Sequence, residues 1–441
     1  MTTFAVRTFG CQMNKHDSER VTGLLESSGM TPVETTDDAD VVVFLTCCVR
    51  DKADERLRGQ VASLKALKTI RPDALIAVGG CIGQRDGEML LRQLPHVDVV
   101  FGTHNVGRLP ALLDTARTSR TPVVEVLQSS DDFTSDLPGK REHAWHAWVP
   151  ITVGCDNFCS YCIVPHVRGR ERSRALDDVV DECRRLVEDG VLEVTLLGQN
   201  VNSYGRDLYG SPRFAEALAR VAETGIARIR FATSHPKDLS EETIAVMAST
   251  PAVCHSLHLP VQSGSDRVLT AMNRRYTAAD YLALVERLYA AMPDLALSTD
   301  IIVGFPGETE QDFLGTLEVV RTARFDQAFT FIYSPREGTP AAKMGDRVPR
   351  EVAQERFARL VAEVHASALA KNVLLEGSVQ RVLLEGTSRR NDSMLAGRTE
   401  GNKVVHAPVP PATPVPQLAG TMRDVEIVRA QTWFLEGRLT G

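Results

Sequence analysis

The residues with the most pointed chemistry in this 441-residue chain are Cys155, Cys159 and Cys162, in GCDNFCSYCIVPH. Their spacing, C-x-x-x-C-x-x-C, puts three thiols in one short loop with no fourth cysteine nearby. A structural zinc site is closed by four protein ligands, which here calls on His166 to complete a Cys3His set. An iron-sulfur cube has four irons, so three thiolates leave one iron without a protein ligand, free to bind a substrate or cofactor. A motif that stops at three favours the cube. Three more cysteines, Cys11 in TFGCQMN, Cys47 in LTCCVR and Cys81 in GGCIGQR, each follow an apolar run. Cys48, next to Cys47, is expected to point elsewhere, because adjacent residues leaving a strand diverge.

These residues need elements to hold them. TFAVRTFG, DVVVFLT, ALIAVGG and VDVVFG read as buried strands, with helices in DSERVTGLLESSG and DKADERLRGQVASLKALK. That alternation predicts a doubly wound parallel sheet, an α/β domain over residues 1–135. Loops at the carboxyl ends of such strands line one edge of the sheet, so Cys11, Cys47 and Cys81 can meet there. Residues 121–148 turn polar and acidic (QSSDDFTSDLPGKREHAW) and read as a linker.

A second α/β series follows over residues 145–370, with strands expected in VPITVG, LEVTLLG, RIRFAT, SLHLPVQ, ALSTDIIVG and QAFTFIYS. Six strand-helix units predict an open, partial (β/α) barrel whose reactive groups sit at the carboxyl ends of the strands, where the three-cysteine loop falls. In ALDDVVDECRRLVEDG the helical spacing puts Cys183 on the core face. Residues 371–441 show short apolar runs broken by Gly, Asn and Pro, which predicts a small β-barrel of oligonucleotide-binding type or a capping module. In its hairpin LAGRTEGNKVV, Arg398 and Lys403 are expected to face outward and meet RNA phosphates.

At 43% hydrophobic and 24% charged residues, the chain is expected to fold into two or three globular domains. The N-terminus lacks the pattern of a secretory signal and no apolar run of membrane-spanning length occurs, so a cytoplasmic, membrane-free setting is expected. Nine cysteines without such a signal argue for metal or redox chemistry over a disulfide framework. A net charge of -7 gives no global attraction to nucleic acid, so RNA must be held by local patches. The arginines of VRGRERSR (Arg168, Arg170, Arg172, Arg174) are candidates for phosphates or for a solvated face. His235, His255 and His258 have no ligand spacing and are expected in core or hydrogen-bonding roles.

The cysteine loop, with aromatic Tyr161 before its last cysteine, resembles the signature of the radical S-adenosylmethionine (SAM) enzymes. TFGCQMN, LTCCVR, GGCIGQR, LLGQNVNSYG, SHPKDL, HLPVQSGSDRVL, MNRRYT, STDIIVGFPGETE and YSPREGTPAA resemble the methylthiotransferases among them, and the last 70 residues resemble their TRAM domain. Leu45 stands where that family usually has Asn, and His166 where an aromatic is common. The resemblance implies two 4Fe-4S clusters, one on Cys155, Cys159 and Cys162 with SAM on its open iron, the other on Cys11, Cys47 and Cys81. It implies SAM contacts near Tyr161, Gln199, Ser234, Gln262 and Gly304. It further implies methylthiolation of carbon 2 of a prenylated adenosine in a tRNA anticodon loop, an electron donor such as flavodoxin or ferredoxin, and a monomer. Two alternatives stand beside it: methylthiolation of an aspartate in a small-subunit ribosomal protein, and a non-catalytic, zinc-stabilised RNA-binding protein.

Overall fold

The computed structural model describes residues 2–48, 51–130, 133–410 and 414–440. Its first layer is a six-stranded parallel sheet of β1 (Thr3–Phe9), β2 (Thr31–Pro32), β3 (Val41–Thr46), β4 (Leu75–Gly80), β5 (Val99–Phe101) and β6 (Val123–Glu125). Their order is β2-β1-β3-β4-β5-β6. Both faces are covered, so β3 and β4 are buried at every position, with an unbroken apolar run over Val41–Leu45 and Leu75–Val78 rather than alternation. Val41, Val43 and Leu45 pack beneath the helices Gln12–Ser27 and Leu109–Ser119; Val42 and Phe44 pack on the other side, against Leu57, Val61 and Ile82. The order reverses direction between β1 and β3, the switch point where such sheets bind ligands.

The stretch expected to be a linker is tied down. It contributes β6 to the sheet, and beyond it Arg20 Nη1 donates to the Leu137 carbonyl at 2.8 Å while the Lys140 amide donates to Glu19 O at 2.9 Å. Polar composition here reflects a surface segment laid along the helix Gln12–Ser27.

The central unit begins with β7 (His146–Pro150) and a short antiparallel ribbon of β8 (Thr152–Val153) and β9 (Arg172–Ser173). β10 (Glu193–Leu197) and β11 (Arg228–Phe231) join β7 in one parallel arc; β12 (Ser256–His258), β13 (Ala296–Val303) and β14 (Gln327–Ile332) form a second. A parallel bridge between Ile229 and Val253 links the arcs into an open barrel. Helices cover its outside: Leu176, Val179, Val180, Cys183 and Leu186 of the helix Leu176–Glu188 are buried, so Cys183 is a core residue.

The helix Arg350–Val373 leads into a closed five-stranded barrel of β15 (Val379–Ser388), β16 (Asn391–Arg398), β17 (Val404–Pro408), β18 (Met422–Ala430) and β19 (Leu435–Leu439), ordered β15-β16-β17-β19-β18. The β16–β17 turn departs from expectation. It enters the amino-terminal mouth of the central barrel, where Arg230 donates to the carbonyls of Thr399 and Glu400 at 2.7 and 2.8 Å and Arg228 to those of Arg398 and Arg381. Lys403 points inward, its Nζ 2.6 Å from Asp326 Oδ1 and 2.7 Å from Asn372 Oδ1. Arg398 is half-exposed and paired with Glu385. A hairpin pattern sets which residues turn, but the neighbouring barrel decides which face is buried.

Candidate active site

The loop Cys155–Cys162 leaves the carboxyl end of the first barrel strands through Gly154, at φ +87°. A side chain there would stand 2.0 Å from the Arg170 carbonyl, so the close pass of the two ends of the ribbon requires glycine. The Gly154 amide donates to Gln199 Oε1 at the end of β10. A second segment grips the loop from the far side: Ser160 Oγ donates to Ala271 O at 2.7 Å, the Ser160 amide to Met272 O, and Asn273 Nδ2 to the carbonyl of Phe158, whose φ is +47°.

Cys155 and Cys159 are buried and Cys162 is partly so. Burial pushes the Cys155 thiol up to about 11, and burial with the neighbouring Cys159 raises Cys162. Arg274, itself buried, donates from Nη1 to Cys159 Sγ at 3.4 Å, from Nη2 to Pro260 O and from Nε to the Tyr276 hydroxyl. His166 is exposed on the short helix Val164–Arg168, so it does not join the cysteines in a closed zinc set.

Gln199, Ser234, Gln262 and Gly304 all lie just beyond the carboxyl ends of β10, β11, β12 and β13, on the edge that carries the cysteine loop. The Gln199 oxygen is already occupied by Gly154. Ser234 is buried with no partner for its hydroxyl, and Asn200 Oδ1 and Asn202 Nδ2 at the end of β10 are likewise unpaired. Gln262 is buried at φ +70°, and the Gly304 amide donates to Glu308, which is held by Arg356. Tyr161 packs against the cluster formed by Val268, Met272, Phe305 and Ala341. Buried polar groups without partners cost free energy unless a ligand meets them, so this edge fits a polar molecule such as SAM. A cavity of about 540 Å3, lined by residues including Arg20, Ser135, Arg174 and Glu182, lies away from both cysteine sets.

The N-terminal cysteines gather at the carboxyl edge of the first sheet. Cys11 caps the helix Gln12–Ser27, Cys47 follows β3, and Cys81 opens the helix Cys81–Asp86. Gly10, at φ +125°, lets the first two approach, since a side chain there would lie 2.4 Å from Cys47 Cβ. Cys48 does not point away: it packs on Cys81, Ile163 and Val167. The four thiols lie as two contacting pairs, in which Cys47 draws the pKa of Cys11 down to about 6 and Cys48 that of Cys81 down to about 7, Arg168 assisting both against burial. Among the described residues no three such side chains converge as metal ligands do. The donor set nonetheless suits an anionic thiolate-bound cluster, because a buried guanidinium stands beside it.

That guanidinium corrects the expectation for VRGRERSR. Arg168 is buried, donating to Asp17 Oδ2 at 2.8 Å, and Arg174 is buried against Pro150 O and Glu182. Arg172 lies over the Phe133 ring, and only Arg170 is exposed, paired with Asp156. Sequence reasoning missed Arg168 and Arg274 as neighbours of cysteines. The one available signal was their position, six residues after Cys162 and inside MNRRYT. His235 is buried with Nδ1 accepting from the Lys237 amide, His255 pairs with Asp294, and His258 lies beside Ser298 and Asp300.

A partial parallel barrel carrying a three-cysteine loop at its carboxyl edge defines a radical SAM enzyme. Residues 149–320 match the Radical SAM superfamily, residues 3–102 the Uncharacterized protein family UPF0004 and residues 373–440 the TRAM domain. The fold is similar to that of the radical S-adenosylmethionine methyltransferase TsrM from Kitasatospora setae, with a TM-score of 0.55 and 16% identity over 78% of this chain and 75% of that one. In sequence the chain is 47% identical to the tRNA-2-methylthio-N(6)-dimethylallyladenosine synthase of Acetivibrio thermocellus, covering 99% of this chain and 90% of that one. It is 47% identical to the synthase of the same name from Carboxydothermus hydrogenoformans (99% of each) and 55% to that of Salinispora arenicola (81% and 72%). The chain belongs to the family of tRNA-2-methylthio-N(6)-dimethylallyladenosine synthases.

Proposed function

We propose that this enzyme converts N(6)-dimethylallyladenosine beside the anticodon of tRNA to its 2-methylthio derivative. The observation that carries the reading is the short helix Val164–Arg168. It follows Cys162, and Ile163 and Val167 pack on Cys48 and Cys81, so the segment that leaves one cysteine set lies against the other. An aromatic C–H carbon offers no easy opening to acid, base or polar nucleophile, so the chemistry belongs to cofactors and the protein supplies aim. When bound, a 4Fe-4S cluster on Cys155, Cys159 and Cys162 supplies one-electron cleavage of SAM to methionine and a 5'-deoxyadenosyl radical, an auxiliary cluster on Cys11, Cys47 and Cys81 supplies sulfur, and a second SAM supplies the methyl group.

The chain's own residues do the rest. Gln199 braces the loop through its side-chain oxygen, which accepts from the Gly154 amide. Ser234, with its unpaired hydroxyl, is the better SAM contact; Gln262, Gly304 and the backbone at Tyr161 complete the rim. Ile163 and Val167 exclude water between the cysteine sets. Arg398 remains the basic candidate on the β16–β17 hairpin for the tRNA backbone; Lys403, held inward by Asp326 and Asn372, does not. The enzyme works in the cytoplasm as a monomer, fed by a low-potential donor such as flavodoxin or ferredoxin; no helix among the described residues is long and apolar enough to cross a membrane.

The test is metal analysis with activity. Anaerobically purified protein should carry about eight irons and no zinc, and should methylthiolate prenylated tRNA with SAM and dithionite. Activity on an aspartate of a ribosomal protein instead, or stoichiometric zinc without iron, overturns the reading.

A further inference from the structure

Arg274 is a buried cation whose counterion is missing from the protein. Its side chain is 7% exposed in a loop that follows the helix Asp266–Ala271. Its partners are a carbonyl, a tyrosine hydroxyl and the Cys159 sulfur. Among the described residues no carboxylate pairs with it, whereas Arg168, Arg174, Arg230 and Arg356 each have one; Arg228, the other buried arginine without one, donates only to carbonyls and touches no cysteine of the loop. A buried charge without a partner is strongly disfavoured, so the site is built for an anion that arrives at Cys159. A cluster bound by three thiolates is such an anion, and a donor on a cluster sulfur is one of the levers that set its potential.

We propose that Arg274 is the resident counterion of the cluster held by Cys155, Cys159 and Cys162, and that its hydrogen bond to Cys159 holds the reduction potential of that cluster up, within reach of the cell's electron donors. This rests on the radical SAM reading of the loop. Reduction adds one electron from a low-potential donor, with no bond made or broken and no proton moved; Arg274 keeps its proton in both states. The extra negative charge in the reduced state is what the guanidinium stabilises, so removing it disfavours reduction selectively. Arg274 is a positioning residue, acting on SAM only through Cys159.

The experiment is an EPR-monitored redox titration of the reconstituted full chain, following the signal that responds to added SAM, in Arg274→Met, Arg274→Gln and Arg274→Lys. With iron content matched to the unsubstituted protein, the Met and Gln variants should show a negative shift that lowers the reduced fraction about tenfold at fixed potential, about 59 mV for a one-electron couple. The Lys variant should stay near the unsubstituted value. Unchanged midpoints in Met and Gln overturn the proposal, as does a Lys variant shifted as far as Met, which assigns the effect to packing. Should the neutral variants fail to hold the cluster, full loading of Lys alone supports the charge requirement, and loss in all three overturns it. If the unsubstituted chain forms no SAM-responsive cluster, the radical SAM reading fails instead, a distinguishable result.

Discussion

Replacing Arg230 by methionine tests whether the C-terminal hairpin is a structural plug. Arg230 Nε donates to Glu193 Oε2 at 2.9 Å, and its two Nη atoms donate to the Thr399 and Glu400 carbonyls. Methionine keeps much of the aliphatic volume but removes every donor, leaving Glu193, 8% exposed at its side chain, without its ion-pair partner. Breaking a buried pair from one side costs about 3–5 kcal/mol, a large part of the roughly 5–15 kcal/mol that holds a domain folded. At about 2–4 °C per kcal/mol for a unit of this size, Tm should fall by about 6–20 °C. Glu193→Gln in the same background should restore part of this, because a neutral amide is cheaper to bury unpaired. Calorimetry of both variants, with limited proteolysis near Thr399–Lys403, reads the effect. A Tm drop of under about 2 °C for Arg230→Met would refute the plug. The same contacts predict that a chain ending near Lys371 aggregates or loses its clusters, since truncation uncovers Arg228, Arg230 and Asp326 together. A clean loss of tRNA binding alone is not the expected result.

Cys47→Ala should lose the auxiliary iron while Cys48→Ala keeps it, read as iron per chain; equal loss shows the ligand choice to be wrong. Cys159→Ala should abolish reductive cleavage of SAM, whereas Cys81→Ala should retain some cleavage without sulfur insertion, measured as 5'-deoxyadenosine and methylthiolated nucleoside. Burial, followed by the Asp156, Asp207 and Asp238 carboxylates, raises Glu171 from 4.5 to about 7, against a lowering hydrogen bond from Ser203. The folded chain then binds this proton more tightly than the unfolded chain, so the stabilisation is full below about 4.5 and is lost as pH rises through about 7. Denaturant unfolding of Glu171→Gln should lack that decline, and an unchanged pH profile would assign it to other groups.

The strands were legible because burial on both faces leaves an unbroken apolar run, as in Val41–Leu45, which no other element explains as well. The cysteines were legible because carboxyl-end loops are where both sheet types keep their chemistry. Lys403 was not: a hairpin pattern places it on a turn, and only the barrel mouth shows that the turn is an interior surface. Cys48 misled for a related reason. Strand alternation ends with β3 at Thr46, and the loop that follows turns Cys48 onto Cys81. Arg168 and Arg274 carry no signal beyond their positions, six residues after Cys162 and inside MNRRYT, since local sequence does not separate a buried arginine from a solvated one.

The insertion of Arg168 and Val167 beside Cys81 has a consequence for the order of events during synthesis. Cys11, Cys47, Cys48 and Cys81 leave the ribosome before the residues that cover them, and at about 5–20 residues per second the 87 positions separating Cys81 from Arg168 take roughly 4–17 s to make. For that interval the nascent sheet presents four thiols without the apolar lid of Ile163 and Val167 and without the guanidinium that balances their charge. For the auxiliary cluster proposed at this end of the molecule, delivery is therefore best timed after the loop Cys155–Cys162 has docked. Oxidation of the thiols is the hazard of the gap, and slowed translation through residues 82–168 should widen it.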